Sequence, residues 1–547
     1  CVYNIIINYT MTTKSKLSIK KNFITDSPIK IAPIEGKTYL KDELRKLIFK
    51  SFSQTTFDVA CVIKYFFNGL LVACPQMSIN KYNWYEFTGH KWSPVSLGKL
   101  RLYLAEDIVI QYQQLLKSIK TQLENEEDDQ LIESYESKIK SLNDLIAKLK
   151  DESFAHKFIT ACSSIFEQKE FLEQLNSNPH LVGFENGVYN LETGQFRAGL
   201  PEDLISFSTG INYQTFSEEE LVPVVSFITQ IFPEEETSQY ILTFLASCLL
   251  GMNPQEKFHI WTGVGGNGKS KLLELFEKSC GQYAGKISSK IFTQSQQSNS
   301  SAASPEIACL KGLRFVSAQE PDDKKNLKPT INTGIMKELT GGDKIITRAL
   351  YGDPFTFKPQ FKIVFCSNHL PDLSADDEGA WRRLSVVQFK SRFIDNPKYS
   401  NEFPRDYHLS EKIENWKEMF MYLLLTDFYP LYKKNGLIEP DSVIQATKQY
   451  RANVDDIKDF IDQTIEPIDG HYVTLKDLWN KYKKSDFYSK DQKMKDFKIA
   501  ISNKLGIEIP EQKKIDNIRI RSPILGWEFI NDSDEVVDNI NNGESKL

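Results

Sequence analysis

The chain lacks the features that would mark a membrane protein, a disulfide scaffold or a uniformly basic nucleic-acid coat. No stretch approaches the roughly 20 consecutive apolar residues of a membrane span. The most apolar early run, residues 59–74, is interrupted by Lys64 and Asn68. Cysteine is sparse and dispersed: 8 in 547 residues, with no CxxC pair and only 7 histidines. That argues against a structural zinc site and fits buried free thiols in a reducing compartment. A secretory leader with a basic start and a small-residue cleavage site is missing, as is any internal repeat. The chain starts at Cys1, so Met11 is one candidate start and a longer product is the other. There is no cationic excess: 67 Lys and Arg face 73 Asp and Glu, a net charge of −6. This excludes a basic coat but leaves room for a local basic surface. With 41% apolar and 26% charged residues, collagen-like, mucin-like and wholly disordered classes are excluded. The length predicts about three or four domains.

What is present alternates in character along the chain. Residues 1–38 are polar, broken by Pro28 and Pro33, and read as a flexible arm. Residues 39–217 read as a mainly helical domain. Within it, Leu131, Tyr135, Ile139, Leu142, Leu145, Ile146 and Leu149 recur at helical spacing. They predict a long amphipathic hairpin turning at residues 124–129. Glycines 183, 187 and 194 punctuate a small β element in the same region. Residues 218–450 alternate short apolar strands with helices, the signature of a parallel α/β sheet. Residues 451–530 read as a small α+β domain, and residues 531–547 as a disordered acidic tail. The fold class is therefore multidomain α/β.

The most informative segment is a phosphate loop. An apolar strand at residues 258–261 runs into Gly263, Val264, Gly265, Gly266, Asn267, Gly268, Lys269 and Ser270, and a helical pattern follows. This is G-x-x-x-x-G-K-S in the strand–loop–helix setting that the motif requires. Its backbone N–H groups and the helix N-terminus favour bound phosphates. Lys269 would bridge the β- and γ-phosphates of ATP, and the Ser270 hydroxyl would ligate Mg²⁺. A second apolar run ends at Gln319-Glu320-Pro321-Asp322-Asp323. Glu320 is the leading candidate for holding Mg²⁺ or activating water. Gln319 stands where an Asp-Glu pair would be more usual, and Asp322 or Asp323 is the alternative source of charge. A third strand ends at Ser367-Asn368, where an amide can both donate to and accept from a γ-phosphate or lytic water. Arg382 or Arg383 follows, as a finger that would complete a neighbouring subunit's site; a surface salt-bridge pair is the bland alternative.

Together these segments resemble superfamily 3 helicases of the AAA+ class, with the poxvirus-type and satellite-phage-type primase-helicases as the nearest subgroup. The resemblance rests on GVGGNGKS at 263–270, the strand ending at Gln319-Glu320, MKELTGGDKIITRALYGDPFTF at 336–357, FKIVFCSNHLP at 361–371 and GAWRRLSVVQF at 379–389. FENGVYNLETGQF at 184–196 and the region of Trp84 to Trp92 extend it upstream. It implies an AAA+ phosphate-loop ATPase core and a ring, usually hexameric, that moves 3′ to 5′ along single-stranded DNA and unwinds forked duplex. It implies a channel-facing hairpin from 336–357, with Lys344, Arg348 and Tyr351 touching DNA and Lys337 as a further basic residue. A separate primase or DNA polymerase would be the partner. Residues 1–75 are too short for a primase domain and carry no D-x-D on a strand, so a helicase without primase is expected, unless that portion lies upstream or on another polypeptide.

Between residues 471 and 527, Lys and Arg outnumber Asp and Glu by 13 to 7. Helix, helix and a terminal hairpin suggest a winged-helix-like module, with Lys513, Lys514, Arg519 and Arg521 among its phosphate-facing candidates. Trp479, Tyr482 and Trp527 read as core. The whole reads as an intracellular, soluble, virus-like replicative DNA helicase acting in the host cytoplasm or nucleus. Two rivals stand beside it: a DNA-packaging-type phosphate-loop ATPase, and an ATP-dependent DNA-binding initiator or scaffold.

Overall fold

The computed structural model describes residues 38–76, 81–293, 305–319, 330–350, 352, 354–368, 370–371, 373, 377–452, 456–488, 494–515 and 518–530. The chain divides into two compact units, residues 1–370 with 383–444, and residues 371–382 with 445–547. The expected arm at 1–38 and the acidic tail at 531–547 lie outside the described residues, apart from Thr38, which opens a helix.

The first unit begins with a helical region. Thr55 caps the helix Thr56–Phe67 by accepting the Asp58 N–H, and Val59, Val62, Ile63 and Phe67 turn inward. The amphipathic hairpin is present as helices Val109–Glu124 and Asp129–Lys150. Asp128 accepts the N–H groups of Gln130 and Leu131, and the helix it caps carries Asp129 in its first turn and Lys148 and Lys150 in its last, as the helix dipole favours. Burial is confined to the hairpin's base: Ile119, Leu142, Leu145 and Leu149 pack with Phe158, whereas no residue from 120 to 141 is buried. Two small antiparallel sheets interrupt the helices. One joins Leu71–Pro75, Tyr82–Phe87 and Trp92–Val95, and the other joins Leu181–Phe184, Gly187–Asn190 and Gln195–Arg197. The second is the small β element that the glycine punctuation predicts.

A five-stranded parallel sheet forms the core of this unit. Its strands, in chain order, are β1 Phe258–Thr262, β2 Ala284–Ser288, β3 Phe315–Gln319, β4 Lys362–Ser367 and β5 Leu384–Gln388. Their spatial order is β5-β1-β4-β3-β2, and every pairing is parallel. β1 and β4 are buried along their whole length, as strands covered on both faces must be. Helix Glu235–Ser247 is buried at ten positions, and helices Lys269–Cys280 and Leu409–Leu423 join it in one apolar core with Trp261, Phe276, Phe315 and Phe420.

The second unit is a small α+β body. Strand Ile465–Thr474 pairs antiparallel with Pro523–Phe529, a hairpin joins Gln512–Ile515 to Ile518–Arg521, and helices Leu475–Tyr482 and Met494–Leu505 pack on Phe460, Tyr482, Phe497 and Ile524. Two strands flank Ser522, Ile518–Arg521 and Pro523–Phe529, but they do not form the expected terminal hairpin with each other: the first pairs with Gln512–Ile515 and the second with Ile465–Thr474. Trp479 and Tyr482 are buried, so their reading as core holds.

Candidate phosphate site at the carboxyl edge of the sheet

Parallel strands place their carboxyl ends on one edge, where ligands of open α/β sheets bind. β1 leads there into the loop at 263–268, and helix Lys269–Cys280 follows. Two glycines make the loop's path possible. Gly263 has φ +144°, and an added Cβ would fall 2.6 Å from both Asn267 Nδ2 and the Phe389 carbonyl oxygen. Gly268 has φ +88°, and a Cβ there would meet Ile231 at 2.8 Å. The loop is also braced from behind: the Phe393 N–H donates to the Gly266 carbonyl at 2.7 Å. Val264, Gly265 and Gly266 face solvent, Gly268 is half-buried, and Ser270 is exposed at the second position of the helix.

Lys269 is only 8% exposed, and burial pulls its ammonium below the usual lysine range. Its Nζ donates to the Gly263 carbonyl at 2.6 Å and to Asn368 Oδ1 at 3.2 Å. Both acceptors are neutral, so among the described residues this desolvated cation has no carboxylate partner. The Lys269 amide donates to Asn267 Oδ1 at 3.3 Å, while Asn267 Nδ2 is buried without a partner. An orphaned donor and an under-compensated lysine beside a ring of backbone N–H groups suit an entering polyphosphate. Ser270 offers a hydroxyl to a metal at the same place.

Asn368 reaches the site because β4 lies directly beside β1. The Thr262 hydroxyl donates to the Asn368 carbonyl at 3.4 Å, tying the two strand ends together. β3 lies one strand further out, beside β4, and ends at Gln319. Glu320, Asp322 and Asp323 fall outside the described residues. Among the described residues, no cluster of three or more His, Cys, Asp or Glu could hold a metal ion.

Beside Gly266 and Gly268 a cavity of about 530 Å³ opens, walled by Phe227, Phe393 and Trp416, with Lys271, Arg405, Lys412 and Asp406 as charged members. Its size suits a planar heterocycle next to the phosphates. Sequence reading misses these walls, since isolated aromatic residues on helices and on a short strand look like ordinary core.

The two arginines part company. Arg382 is exposed at the end of the short helix Glu378–Trp381, in the second unit. Arg383 belongs to the first unit, is 9% exposed, and pairs with Glu256 at 2.5 Å. Its carbonyl accepts the Phe258 N–H, so it sits at the amino edge of the sheet, opposite the phosphate loop. Arg383 is thus engaged inside its own subunit, whereas Arg382 is exposed. Residues 336–357 do supply a hairpin, Ile345–Arg348 against Pro354–Phe357. Lys344 and Arg348 are exposed on it, as is Ile346 at 76%; Lys337 is half-buried on helix Thr333–Thr340, and Tyr351 lies outside the described residues.

Residues 71–248 match the family described as "D5 N terminal like", and residues 261–383 match the family of unknown function DUF5906. The chain is 35% identical over 483 residues to a "Putative helicase" of Acanthamoeba polyphaga mimivirus, covering 85% of this chain and 49% of that protein. A "Putative helicase" of Invertebrate iridescent virus 3 is 28% identical over 449 residues, covering 73% and 47% respectively. A "Putative primase" of African swine fever virus is 26% identical over 415 residues, covering 71% and 42%. The chain therefore spans about half, or less, of the curated relatives it matches. Among solved structures, the apo C-terminal region of NrS-1 is similar at 15% identity and TM-score 0.35, covering 64% of this chain and 83% of that one. No helix among the described residues is long and apolar enough to cross a membrane.

Proposed function

We propose, for a chain that belongs to the D5-type viral primase-helicase family, that it is the motor portion of a viral replicative DNA helicase of the AAA+ type. It hydrolyses ATP where two subunits meet in a ring, moves along single-stranded DNA and unwinds forked duplex. The observation that carries this reading is the buried Lys269, held between the phosphate loop and Asn368 of the adjacent strand with no carboxylate partner among the described residues. A helix-capping glycine turn has no need of a desolvated lysine; a triphosphate site does.

In this reading the N–H groups of residues 263–268 and Lys269 hold the phosphates. Asn368 orients either the γ-phosphate or the attacking water from β4. The cavity at Phe227 and Trp416 takes the base. Mg²⁺, held by Ser270 and Glu320, would supply Lewis-acid stabilisation of the phosphate charge. Arg382 reaches the neighbouring subunit's nucleotide, which makes assembly a condition for turnover. Lys344, Arg348 and Tyr351, with Lys337 near the hairpin's root, track the strand by neutralising phosphates and stacking on bases. The basic C-terminal unit, read as a winged-helix module, adds a duplex-binding surface.

The test is Lys269→Ala assayed on forked DNA. Hydrolysis and strand separation should both vanish while single-strand binding persists. Unwinding by the variant sinks the motor reading. DNA binding by the natural chain without any turnover would instead favour an initiator or scaffold whose nucleotide governs assembly.

A further inference from the structure

We infer that the C-terminal unit positions Arg382, and that Tyr450 and Arg451 are the residues that do so. The inference rests on the proposed role of Arg382 at a neighbouring subunit's nucleotide.

The chain leaves the sheet-bearing unit after Leu370 and re-enters it at Arg383; the residues between belong to the second unit. Among the described residues, two consecutive residues of helix Asp441–Ala452 anchor that excursion at three points. The Tyr450 hydroxyl donates to the Pro371 carbonyl, where the excursion begins. The Arg451 guanidinium donates to Glu378 through both of its amino groups, at the first residue of the short helix Glu378–Trp381. Trp381, the last residue of that helix, is buried; it meets the Tyr450 ring edge-on at 5.1 Å, and the Arg451 guanidinium lies 5.7 Å from its centroid. Arg382 comes next, exposed, its N–H donating to the Ala380 and Glu378 carbonyls.

A four-residue helix cannot hold an orientation by itself, because nucleation costs more than one turn returns. What grips Glu378 and Trp381 therefore contributes to the direction of Arg382, and these grips come from Tyr450 and Arg451 of the C-terminal unit. Arg383 cannot set it from the other side, since its own side chain is committed to Glu256. Arg382 thus belongs to the C-terminal unit, while the phosphate loop and Asn368 belong to the sheet-bearing unit. Removing an arginine finger costs roughly 10³–10⁵ in rate, and misplacing a catalytic group by ~1 Å costs roughly 100-fold.

Arg451→Ala should accordingly lower kcat for ATP by roughly 10- to 100-fold with KM nearly unchanged. Mixing it with Lys269→Ala subunits should raise turnover above the sum of the two alone. The Lys269→Ala subunits still present a sound Arg382 to the intact phosphate loops of the others. Combining Glu378→Arg with Arg451→Glu should recover part of the turnover that each loses singly, which a merely misfolded variant would not do. Full turnover by Arg451→Ala overturns the inference, and so does a mixture no better than the sum. Arg382→Ala separates the two layers. If it loses activity and is rescued by the same mixing while Arg451→Ala is unaffected, the finger stands and the positioning fails. If Arg382→Ala keeps full turnover, the finger itself is wrong.

Discussion

Replacing Asn368 by Asp should move stability and nucleotide affinity in opposite directions. The new carboxylate would lie where Asn368 Oδ1 lies, 3.2 Å from the Lys269 ammonium. At an effective dielectric constant of 20, unit charges at that distance attract by about 5 kcal/mol. Asn368 is exposed, so solvent screening cancels most of this, leaving about 1 kcal/mol or less of net stabilisation. The sign follows from Lys269, whose charge burial now disfavours; a carboxylate partner lifts that penalty. For ATP the same carboxylate is harmful. It cancels the cation the phosphates need and repels them by about 4 kcal/mol at ~4 Å in the same dielectric. Screening removes part of that, so affinity should fall by at least about 100-fold. The assay is urea denaturation without nucleotide, beside titration with a fluorescent ATP analogue. Asn368→Ala is the control, losing an acceptor without gaining a charge. An Asp variant that binds the analogue as tightly as the natural chain, or that unfolds more readily than the Ala variant, refutes the electrostatic reasoning about Lys269.

Arg314→Met should cost on the order of 3–5 kcal/mol, because it strips the carbonyls of Asn178, Leu181 and Leu249 of a buried donor and removes a guanidinium 4.7 Å from the Tyr283 ring centroid. A loss below about 1 kcal/mol in urea denaturation contradicts this. Lys362 gives a pH signature. Burial holds its ammonium at about 8 against a free value of 10.5, so the unfolded chain binds more protons between those limits. Stability contributed by this site should therefore rise as pH climbs from about 8 to about 10.5. The difference between the natural chain and Lys362→Met, read from urea midpoints across that window, should show the rise; a flat difference means Lys362 does not titrate there. On the hairpin, Lys344→Ala and Arg348→Ala should each reduce the slope of log affinity for single-stranded DNA against log salt by about 0.7 while leaving ATP binding alone. An unchanged slope removes that residue from the strand path.

The phosphate loop was legible in the sequence because its chemistry needs a fixed order of residue types within one turn of chain. The hairpin of residues 109–150 was legible because helical spacing is local. Asn368 was legible only in part: its place after a strand could be read, but its contact with Lys269 depends on β4 lying beside β1, which no local pattern encodes. The cavity walls Phe227, Phe393 and Trp416 come from three separated elements and carry no signal of their own. Leu71–Pro75 is a strand inside the stretch that reads as mainly helical, because a short apolar run has no period to distinguish the two.

The basic residues show why sequence alone misassigns charge. Arg314, Lys362 and Arg383 stand at or just before the first residues of β3, β4 and β5, all on the amino edge of the sheet. Each is buried. Arg314 and Lys362 donate to backbone carbonyls, among them Ser247 at 2.8 Å and Leu249, where helix Glu235–Ser247 runs out and its dipole leaves partial negative charge. Arg383 meets a carboxylate instead. A cation on that edge answers a need internal to the fold, because unsatisfied helix-terminal carbonyls under a sheet cost more than the burial of a well-bonded lysine or arginine. On the carboxyl edge the balance is reversed: among the described residues, Lys269 is buried with two neutral acceptors. The same residue type, at comparable burial, is structurally satisfied at one edge and left wanting an anion at the other. That asymmetry separates a binding cation from a structural one, and it follows from strand direction, which fixes where helix ends and loop N–H groups accumulate.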